Sequence, residues 1–310
     1  MKKLFIIGNG FDLSHGIPSS YNDFKEYLKT TYVIPDNPYP VVSSSEGNHG
    51  DIIIDPYESA KLLVYGINTT DDYVKWSEFE NDLANMDFSW LAPDPDDYTD
   101  KEGDPDIYYY DDVFTPYLDD FSYNIATWRE LFEEWIEKVN EGIINGDSIY
   151  IANTKIMKLL DAESFVLSFN YTETIETIYN FNNILHIHNK VGEDLIWGHG
   201  EDELDIDDLY DFDAERLNIM VINEYKKDVD KQIDKHKDFF SSIEGLKLDV
   251  YSFGFDYSDV DLPYIKKIID SISKKSRWFL NDFGDCFYKQ KVVLESLGFK
   301  GEIIKWNGND

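Results

Sequence analysis

A short apolar strand that runs straight into a glycine turn is the feature that most constrains this chain. Leu4–Ile7 is an uninterrupted apolar run, and Gly8-Asn9-Gly10 follows it directly. Such a run bounded by glycine is typical of a strand buried on both faces in a parallel sheet. Ligands of open α/β sheets bind where these strands end, and glycines there let backbone N–H groups approach a phosphate. The start of the chain therefore predicts an α/β fold with a nucleotide-type ligand at this turn.

Composition and charge exclude several classes of protein. The chain has 310 residues, 42% of them hydrophobic, and a formal net charge of −34. A surface this acidic repels nucleic-acid phosphates and anionic membranes, so we expect neither as a partner. Cys286 is the single cysteine, which excludes a disulfide within the chain. No apolar run approaches the roughly 20 residues of a membrane span, and the run after Lys3 is too short for a signal peptide, so we expect a cytoplasmic protein.

The order of strand and helix patterns predicts a discontinuous α/β domain with an inserted helical lobe. Apolar strand-like segments alternate with helical periodicity in the second half of the chain, as in a Rossmann-like, mostly parallel sheet flanked by helices. These segments are residues 163–169, 184–188 and 248–253, a strand near Trp278, and residues 303–304. We expect residues 1–34 and 146–310 to form the sheet domain and residues 35–145 to form a mostly helical insertion. Within the insertion, residues 92–112 carry nine acidic residues against one lysine, which predicts a solvated loop.

Asparagine and histidine side chains stand near the ends of two predicted strands. Asn170 presents amide donors and an acceptor to the adjoining crevice, unless it only closes the strand by a local turn. His186 and His188 are two residues apart, which places both imidazoles on one strand face, where one of them is suited to act as a general base. Together with His199 they are an alternative metal site, although no carboxylate or cysteine stands at a recognised ligand spacing.

Two further segments carry carboxylates near the predicted crevice. The candidate contacts in the loop after another strand are Gly254, Ser258 and Asp259. A carboxylate at that place is suited to hold ribose hydroxyls; the alternative is a loop in which Asp261 caps the next helix. In the helical lobe, Glu80 lies near Trp76 in the sequence, either as a partly exposed helix residue or as part of a lid over the crevice.

The order of these motifs closely resembles the AbiH family of bacterial abortive-infection proteins. The blocks that carry the resemblance are Phe5–Asp12, Gly16–Tyr21, Trp76–Glu80, Ser168–Thr172, Ile187-His188 and Tyr251–Asp259. The resemblance implies an anti-phage defence protein. The same order is more distantly similar to the sirtuin-like group of NAD-binding folds, whose defence members cleave NAD.

The sirtuin-like resemblance implies roles for particular residues. The glycine-rich turn would hold the NAD phosphates, an asparagine would orient the nicotinamide ribose, and a histidine would act as base. The matching positions are Gly8 and Gly10 in the turn, Asn170, His188, and Gly254 and Ser258 in the last loop. Two positions depart from the pattern: Asn189 follows the histidine where glycine is usual, and Asn9 replaces the alanine between the two glycines.

These residues lead to one predicted function with two alternatives. The prediction is an NAD glycohydrolase that acts in anti-phage defence, with Asn170 and His188 as catalytic residues and no metal. Its predicted cofactor contacts are Gly8, Asn9, Gly10, Phe11, Asp12, Gly254, Ser258 and Asp259, and its supporting or lid residues are His186, Glu80 and Trp76. A phage-derived trigger or a second copy of the chain is the expected partner. The alternatives are a nucleotide or ADP-ribose sensor without catalysis, and a metal-dependent hydrolase.

Overall fold

The computed structural model divides the chain into two units. It describes residues 1–46, 52–68, 80, 82–92, 94, 98–103, 106–146, 150–204, 215–281 and 286–308. The first unit comprises Met1–Ser20, Trp135–Ile196 and Asp228–Asp310, and the second comprises Tyr21–Glu134 and Trp197–Lys227. These bounds differ from the predicted domains, chiefly because residues 197–227 group with the second unit.

The first unit is built on a six-stranded sheet in which every strand is parallel to its neighbours. The strands of the chain are β1 (Lys2–Ile7), β2 (Ser45–Glu46), β3 (Ile52–Ile53), β4 (Phe165–Ser168), β5 (Ile184–His186), β6 (Leu248–Phe253), β7 (Arg277–Asn281) and β8 (Glu302–Trp306). The order in the sheet is β5-β4-β1-β6-β7-β8. Counted along the chain, this is the 3-2-1-4-5-6 order of a doubly wound Rossmann sheet, so the predicted α/β class is confirmed. The order reverses between β1 and β6, which puts the usual ligand position of such sheets at the carboxyl ends of these two strands.

Helices accompany the sheet and make up most of the second unit. They are α1 (Asn9–Ser14), α2 (Tyr21–Thr31), α3 (Pro56–Asn68), α4 (Ile107–Ala126), α5 (Trp128–Asn145), α6 (Thr154–Leu159), α7 (Thr174–Tyr179), α8 (Glu215–Glu224), α9 (Val229–Lys235), α10 (Lys237–Ser242), α11 (Leu262–Ser271) and α12 (Phe287–Ser296). Helix α5 contributes residues 128–134 to the second unit and residues 135–145 to the first. Within the described part of the chain, none of the helices has the length and apolar character needed to cross a membrane.

Strand β1 divides its apolar side chains between two cores, one on each face of the sheet. Leu4 and Ile6 belong to the core that helix α11 covers, and Phe5 and Ile7 belong to the core that helices α6 and α7 cover. Successive side chains of a strand point to opposite faces, so a strand buried on both faces must be apolar at every position. This requirement explains the uninterrupted apolar run with which the chain begins.

The second unit packs around Trp128 at the start of α5. The Trp128 indole N–H donates to the Ser59 carbonyl on α3 at 3.0 Å, and its ring lies 6.0 Å from Phe88 and 5.6 Å from Tyr225. The unit also contains a two-stranded antiparallel pair, β2 and β3. The helical character predicted for this part of the chain agrees with its described residues.

Helix α4 begins inside the segment 92–112 that the sequence predicts to be a loop. The Asp106 side chain accepts a hydrogen bond from the Tyr109 backbone N–H at 3.1 Å and so caps the helix. Tyr110, in the first turn, is buried. The expected loop therefore ends at Asp106, because a capping carboxylate and a buried aromatic side chain outweigh the acidic composition of the segment.

Two glycine turns hold the carboxyl ends of β1 and β6 together. Gly254 adopts a φ of 63°, and a Cβ on it would lie 2.1 Å from the Phe11 nitrogen and 2.4 Å from the Gly10 carbonyl carbon. The Gly10 N–H donates to the Gly254 carbonyl at 2.9 Å. Any side chain at Gly254 would separate the two turns, so the close approach of the backbones requires glycine there.

We expect Gly254→Ala to destabilise the protein much more than Gly245→Ala. Gly245 has a similar φ of 68° but no atom within 4 Å of the position of a Cβ. Alanine at Gly245 should cost only the left-handed strain of about 1–2 kcal/mol, whereas alanine at Gly254 should add overpacking of about 1–3 kcal/mol or more. Urea unfolding of both variants measures the difference. Equal losses would show that the contact between the turns contributes nothing.

Candidate functional site

Asp12 places a buried carboxyl at the carboxyl end of β1. Its side chain is on α1, directly after the glycine turn, and the residue is 1% exposed. Asp12 Oδ2 accepts a hydrogen bond from the Thr172 hydroxyl at 2.5 Å, and that hydroxyl lies 2.9 Å from the Thr174 hydroxyl. Both threonines follow β4, the strand beside β1. Two neighbouring strands thus deliver polar groups to one point at the edge of the sheet.

The surroundings of Asp12 shift its ionisation towards neutral pH. Burial raises the pKa of Asp12 from 3.8 to about 6, while hydrogen bonds from Thr172, Thr174 and Asn170 and the charge of His186 oppose the rise. No described residue gives Asp12 Oδ1 a hydrogen bond of normal geometry. The carboxyl is therefore neutral in mild acid and ionised above neutral pH, in a place where charge is costly.

Asn170 connects Asp12 to His186. The His186 Nδ1–H donates to the Asn170 carbonyl at 2.8 Å, and His186 Nε2 lies 2.9 Å from Glu176 Oε1. Both ring nitrogens therefore face oxygen atoms. We name this cluster the Asp12 junction; it consists of Asp12, Asn170, Thr172, Thr174 and His186.

His188 lies away from the side chains that surround His186. Strand β5 ends at His186, and His188 lies in the turn that follows. His186 contacts Glu176 on α7, whereas the His188 ring packs 5.4 Å from Phe169 and 5.7 Å from Tyr264 on α11. The prediction that both imidazoles share one strand face is wrong, because regular alternation stops where the strand ends.

His188 is paired with a carboxylate that the sequence reasoning assigned only to a helix cap. His188 Nε2 lies 3.4 Å from Asp261 Oδ1, and both side chains are buried. The Ser258 hydroxyl donates to Asp261 Oδ2 at 3.1 Å. Asp261 does stand at the N-cap position of α11, but its side chain makes no cap hydrogen bond. Asp259, the predicted cofactor contact, is exposed, so the carboxylate that this loop buries is Asp261.

The two predicted catalytic residues have different neighbours. The Asn170 amide lies close enough to Asp12 to lower its pKa. The His188 ring instead lies 5.4 Å from Phe169 and 6.1 Å from Tyr171, the residues on either side of Asn170. The carboxyl edge of the sheet therefore carries two polar centres, the Asp12 junction and the His188–Asp261 pair, where the sequence predicted one.

The glycine turn uses its backbone donors within the chain. The N–H groups of Gly8, Gly10 and Phe11, predicted to bind phosphate, donate to backbone carbonyls at 3.2, 2.9 and 2.8 Å. Asn9 is half-buried, and its Oδ1 accepts a hydrogen bond from the Ser19 hydroxyl at 2.7 Å. This bond ties the Gly16–Tyr21 motif to the turn. A ligand can use the Gly8 and Gly10 donors only if the turns after β1 and β6 separate, and it can use the Phe11 donor only if the bond from Phe11 to the Gly8 carbonyl breaks.

Asn189, which stands where glycine is usual, keeps the backbone shape of a glycine. Its φ is 62°, a left-handed conformation that asparagine tolerates better than most residues. Its Oδ1 accepts from the Lys235 ammonium at 2.9 Å, and its Nδ2 donates to the Asp194 carbonyl at 2.6 Å. These three residues, with His186, line an open groove of about 620 Å³ at the β5 edge of the sheet. Asparagine thus adopts at position 189 a left-handed conformation that glycine also adopts.

Glu80, predicted as part of a lid, makes a buried ion pair inside the second unit. Its Oε1 lies 2.6 Å from the Lys227 ammonium, and the two side chains are 4% and 1% exposed. Burial at this level is costly for either charge alone, so the pair has a structural role. Trp76 lies outside the described residues.

The three histidines of the alternative metal site have other partners. His199, also in the second unit, donates through Nε2 to the Ile222 carbonyl at 2.9 Å and accepts through Nδ1 from the Glu201 N–H at 3.1 Å. Burial lowers its pKa, as expected for a neutral ring with this pattern of bonds. Among the residues that the structure describes, no group of three or more His, Cys, Asp or Glu side chains is placed to hold a metal ion.

We expect Asp12→Asn to gain stability relative to the wild type as the pH rises. The folded-state pKa of about 6 exceeds the ordinary 3.8, so the stabilisation from the neutral acid is present below pH 3.8 and is lost as the pH rises to about 6. The difference should reach about 3 kcal/mol, at about 1.36 kcal/mol per pKa unit. Thermal unfolding from about pH 4 to about pH 8 measures it. The exposed Asp234→Asn is the matched control, and parallel curves for Asp12→Asn and the wild type would contradict the assignment.

Comparison with known proteins adds a family to this architecture. The family model described as "Bacteriophage abortive infection AbiH" matches residues 4–282. The matched range includes both the Asp12 junction and the His188–Asp261 pair. Comparison with curated proteins and comparison with solved structures gave no match. The chain therefore belongs to the AbiH family of bacteriophage abortive-infection proteins.

Proposed function

We propose that this chain is an abortive-infection effector that binds NAD or a related nucleotide at the carboxyl edge of its sheet and hydrolyses the N-glycosidic bond. The Asp12 junction is the observation that carries the proposal. It joins the glycine-turn motif to the Asn170 motif at one buried carboxyl, beside the point where the strand order reverses. Sheets of this order bind nucleotides at that point. The AbiH match supports the defence role.

The residues at this edge have chemistry suited to glycosidic hydrolysis. The reaction breaks the bond between ribose C1′ and the nicotinamide nitrogen, which leaves with the electron pair, while a water oxygen bonds to C1′ and gives its proton to a base. The transition state carries positive charge on the ribose. Ionised Asp12 would stabilise that charge, and Asn170 would orient the ribose or the water. His188 would accept the proton, and Asp261 would stabilise the imidazolium that results.

The closed glycine turn favours a second candidate, a nucleotide sensor without catalysis. The backbone donors of Gly8, Gly10 and Phe11 are all bonded within the chain, so a dinucleotide must displace these bonds when it binds. A ligand that separates the turns after β1 and β6 would change the surface around them. A partner protein would then recognise the changed surface.

We expect the purified chain to release nicotinamide from NAD, with or without an extract of phage-infected cells as trigger. Asn170→Ala and His188→Ala should each lower the rate by about 100-fold or more, since each removes a group that acts on the ribose or the water. Chromatography of the products measures the rate, and unfolding curves show that the variants fold. Asp234→Asn is the control that should retain activity. Stabilisation by NAD without product would support the sensor. The absence of both product and stabilisation would contradict both candidates.

The rate of hydrolysis should rise with pH around the pKa of Asp12. The proposed role requires the carboxylate, which forms as the pH passes about 6. A profile of kcat/KM against pH should therefore show an acidic limb near that value in the wild type. In Asp12→Asn the remaining activity should lose this limb. A limb of the same midpoint in both proteins would assign it to another group.

A further inference from the structure

Two asparagine side chains hold Gly308 at the carboxyl edge of the sheet. Asn281, the last residue of β7, accepts a hydrogen bond from the Gly308 N–H through its Oδ1 at 2.8 Å. Asn153, directly before α6, donates through its Nδ2 to the Gly308 carbonyl at 2.7 Å. Gly308 is buried and follows β8. We name Asn153 and Asn281 the asparagine clamp, and residues 307–308, which follow β8, the strap.

The hydrogen bonds of Asn153 determine which end of its amide faces the strap. Asn153 Oδ1 caps α6, because it accepts from the Lys155 N–H at 3.0 Å and from the Ile156 N–H at 3.1 Å. Its amide nitrogen is therefore the group that faces the strap. Asn281 is also buried, with 6% of its surface exposed. The clamp thus presents one hydrogen-bond donor and one acceptor to whatever lies between the two side chains.

Aromatic rings enclose the space that Gly308 occupies. A Cβ on Gly308 would lie 2.7 Å from both the Phe253 and the Trp306 rings. Phe253, in turn, packs edge-on against Phe11, with ring centres 5.5 Å apart. A glycine fits here because it brings no side chain, and the aromatic walls offer stacked or edge-on contacts to a ring that replaces the strap.

A chain of hydrogen bonds connects the clamp to the helix that carries Asp12. The Asn153 N–H donates to the Tyr179 hydroxyl at 2.9 Å, and that hydroxyl donates to His15 Nε2 at 2.7 Å. The His15 Nδ1–H donates to the Phe11 carbonyl at 2.7 Å. Burial lowers the pKa of His15, in agreement with a neutral ring that accepts through Nε2. The clamp and Asp12 therefore belong to one connected edge of the first unit.

We propose that the asparagine clamp is a subsite for the carboxamide of a ligand, and that the strap occupies this subsite as a built-in competitor. A carboxamide offers an N–H to Asn281 and a carbonyl to Asn153, and an aromatic ring attached to it takes the place of the strap beside Phe253. Nicotinamide has both parts. The choice of this ligand rests on the proposed function. The family match covers residues 4–282, so Asn153 and Asn281 lie within it and Gly308 lies outside it.

Release of the strap tests the competition. In Gly308→Ala the new methyl group would lie 2.7 Å from two rings, so either the strap or the rings must shift, and we expect the strap to be released. Calorimetric titration with nicotinamide alone should give a Kd at least about tenfold lower for Gly308→Ala than for the wild type. Hydrogen exchange of residues 302–308 verifies the release, and Gly308→Val is used if exchange shows the alanine variant still seated. Asp234→Asn, an exposed position outside the strap and the clamp, is the control and should bind as the wild type does.

Substitution of the clamp tests the subsite itself. In the Gly308→Ala background, Asn281→Ala should weaken nicotinamide binding at least about tenfold, whereas Asn281→Asp retains an oxygen acceptor and should bind. Equal affinity of the wild type and the released variant, binding unaffected by Asn281→Ala, or no binding once exchange shows release would each overturn the inference. Nicotinamide binding without NAD cleavage would count against the hydrolase alone. NAD cleavage without nicotinamide binding would count against the clamp alone.

Discussion

The close contact between the glycine turns after β1 and β6 is the constraint on which the arrangement of the carboxyl edge depends. Because neither Gly10 nor Gly254 carries a side chain, the two backbones meet, and the Gly10 N–H donates directly to the Gly254 carbonyl. The contact fixes where α1 begins, and α1 in turn carries Asp12 towards the threonines after β4. The same contact uses the N–H groups that a phosphate would need. One steric fact therefore determines both where Asp12 lies and which N–H groups of the turn are already bonded.

The burial of the ionised Asp12 carboxylate lowers the stability of the fold. Loss of hydration raises the pKa of the carboxyl to about 6, even though Thr172, Thr174 and Asn170 supply hydrogen bonds and His186 supplies charge. An apolar residue or an amide at this position would avoid the cost above neutral pH. Costly buried carboxyls of this kind concentrate at functional sites, where a change of charge state or a positive transition state makes use of them. Glu80 provides a contrast, because its partner Lys227 compensates its charge directly.

Local sequence patterns predicted the elements of the sheet but not which side chains meet. The apolar run of β1, the strands that follow and the position of Asn170 at a strand end follow from patterns within about ten residues. The bond between Asp12 and Thr172 joins positions that are 160 residues apart, and only the strand order brings them together. The face of His188 was missed because strand β5 stops two residues earlier. Asp261 resembled a helix cap, and the choice between it and Asp259 depends on which of them the loop turns inward.

The asparagine clamp shows why isolated amides are difficult to interpret from sequence. Asn153 caps α6 through its side-chain oxygen, and its amide nitrogen is left to bind the strap. If the strap lowers the apparent affinity for a carboxamide tenfold, it must be seated about nine-tenths of the time, a preference of about 1.4 kcal/mol. A strap held so weakly is displaced readily by a ligand or a partner that binds the open form. On the proposed function, an effector that waits for infection needs a resting state of that kind, which is closed most of the time and within a few kcal/mol of opening.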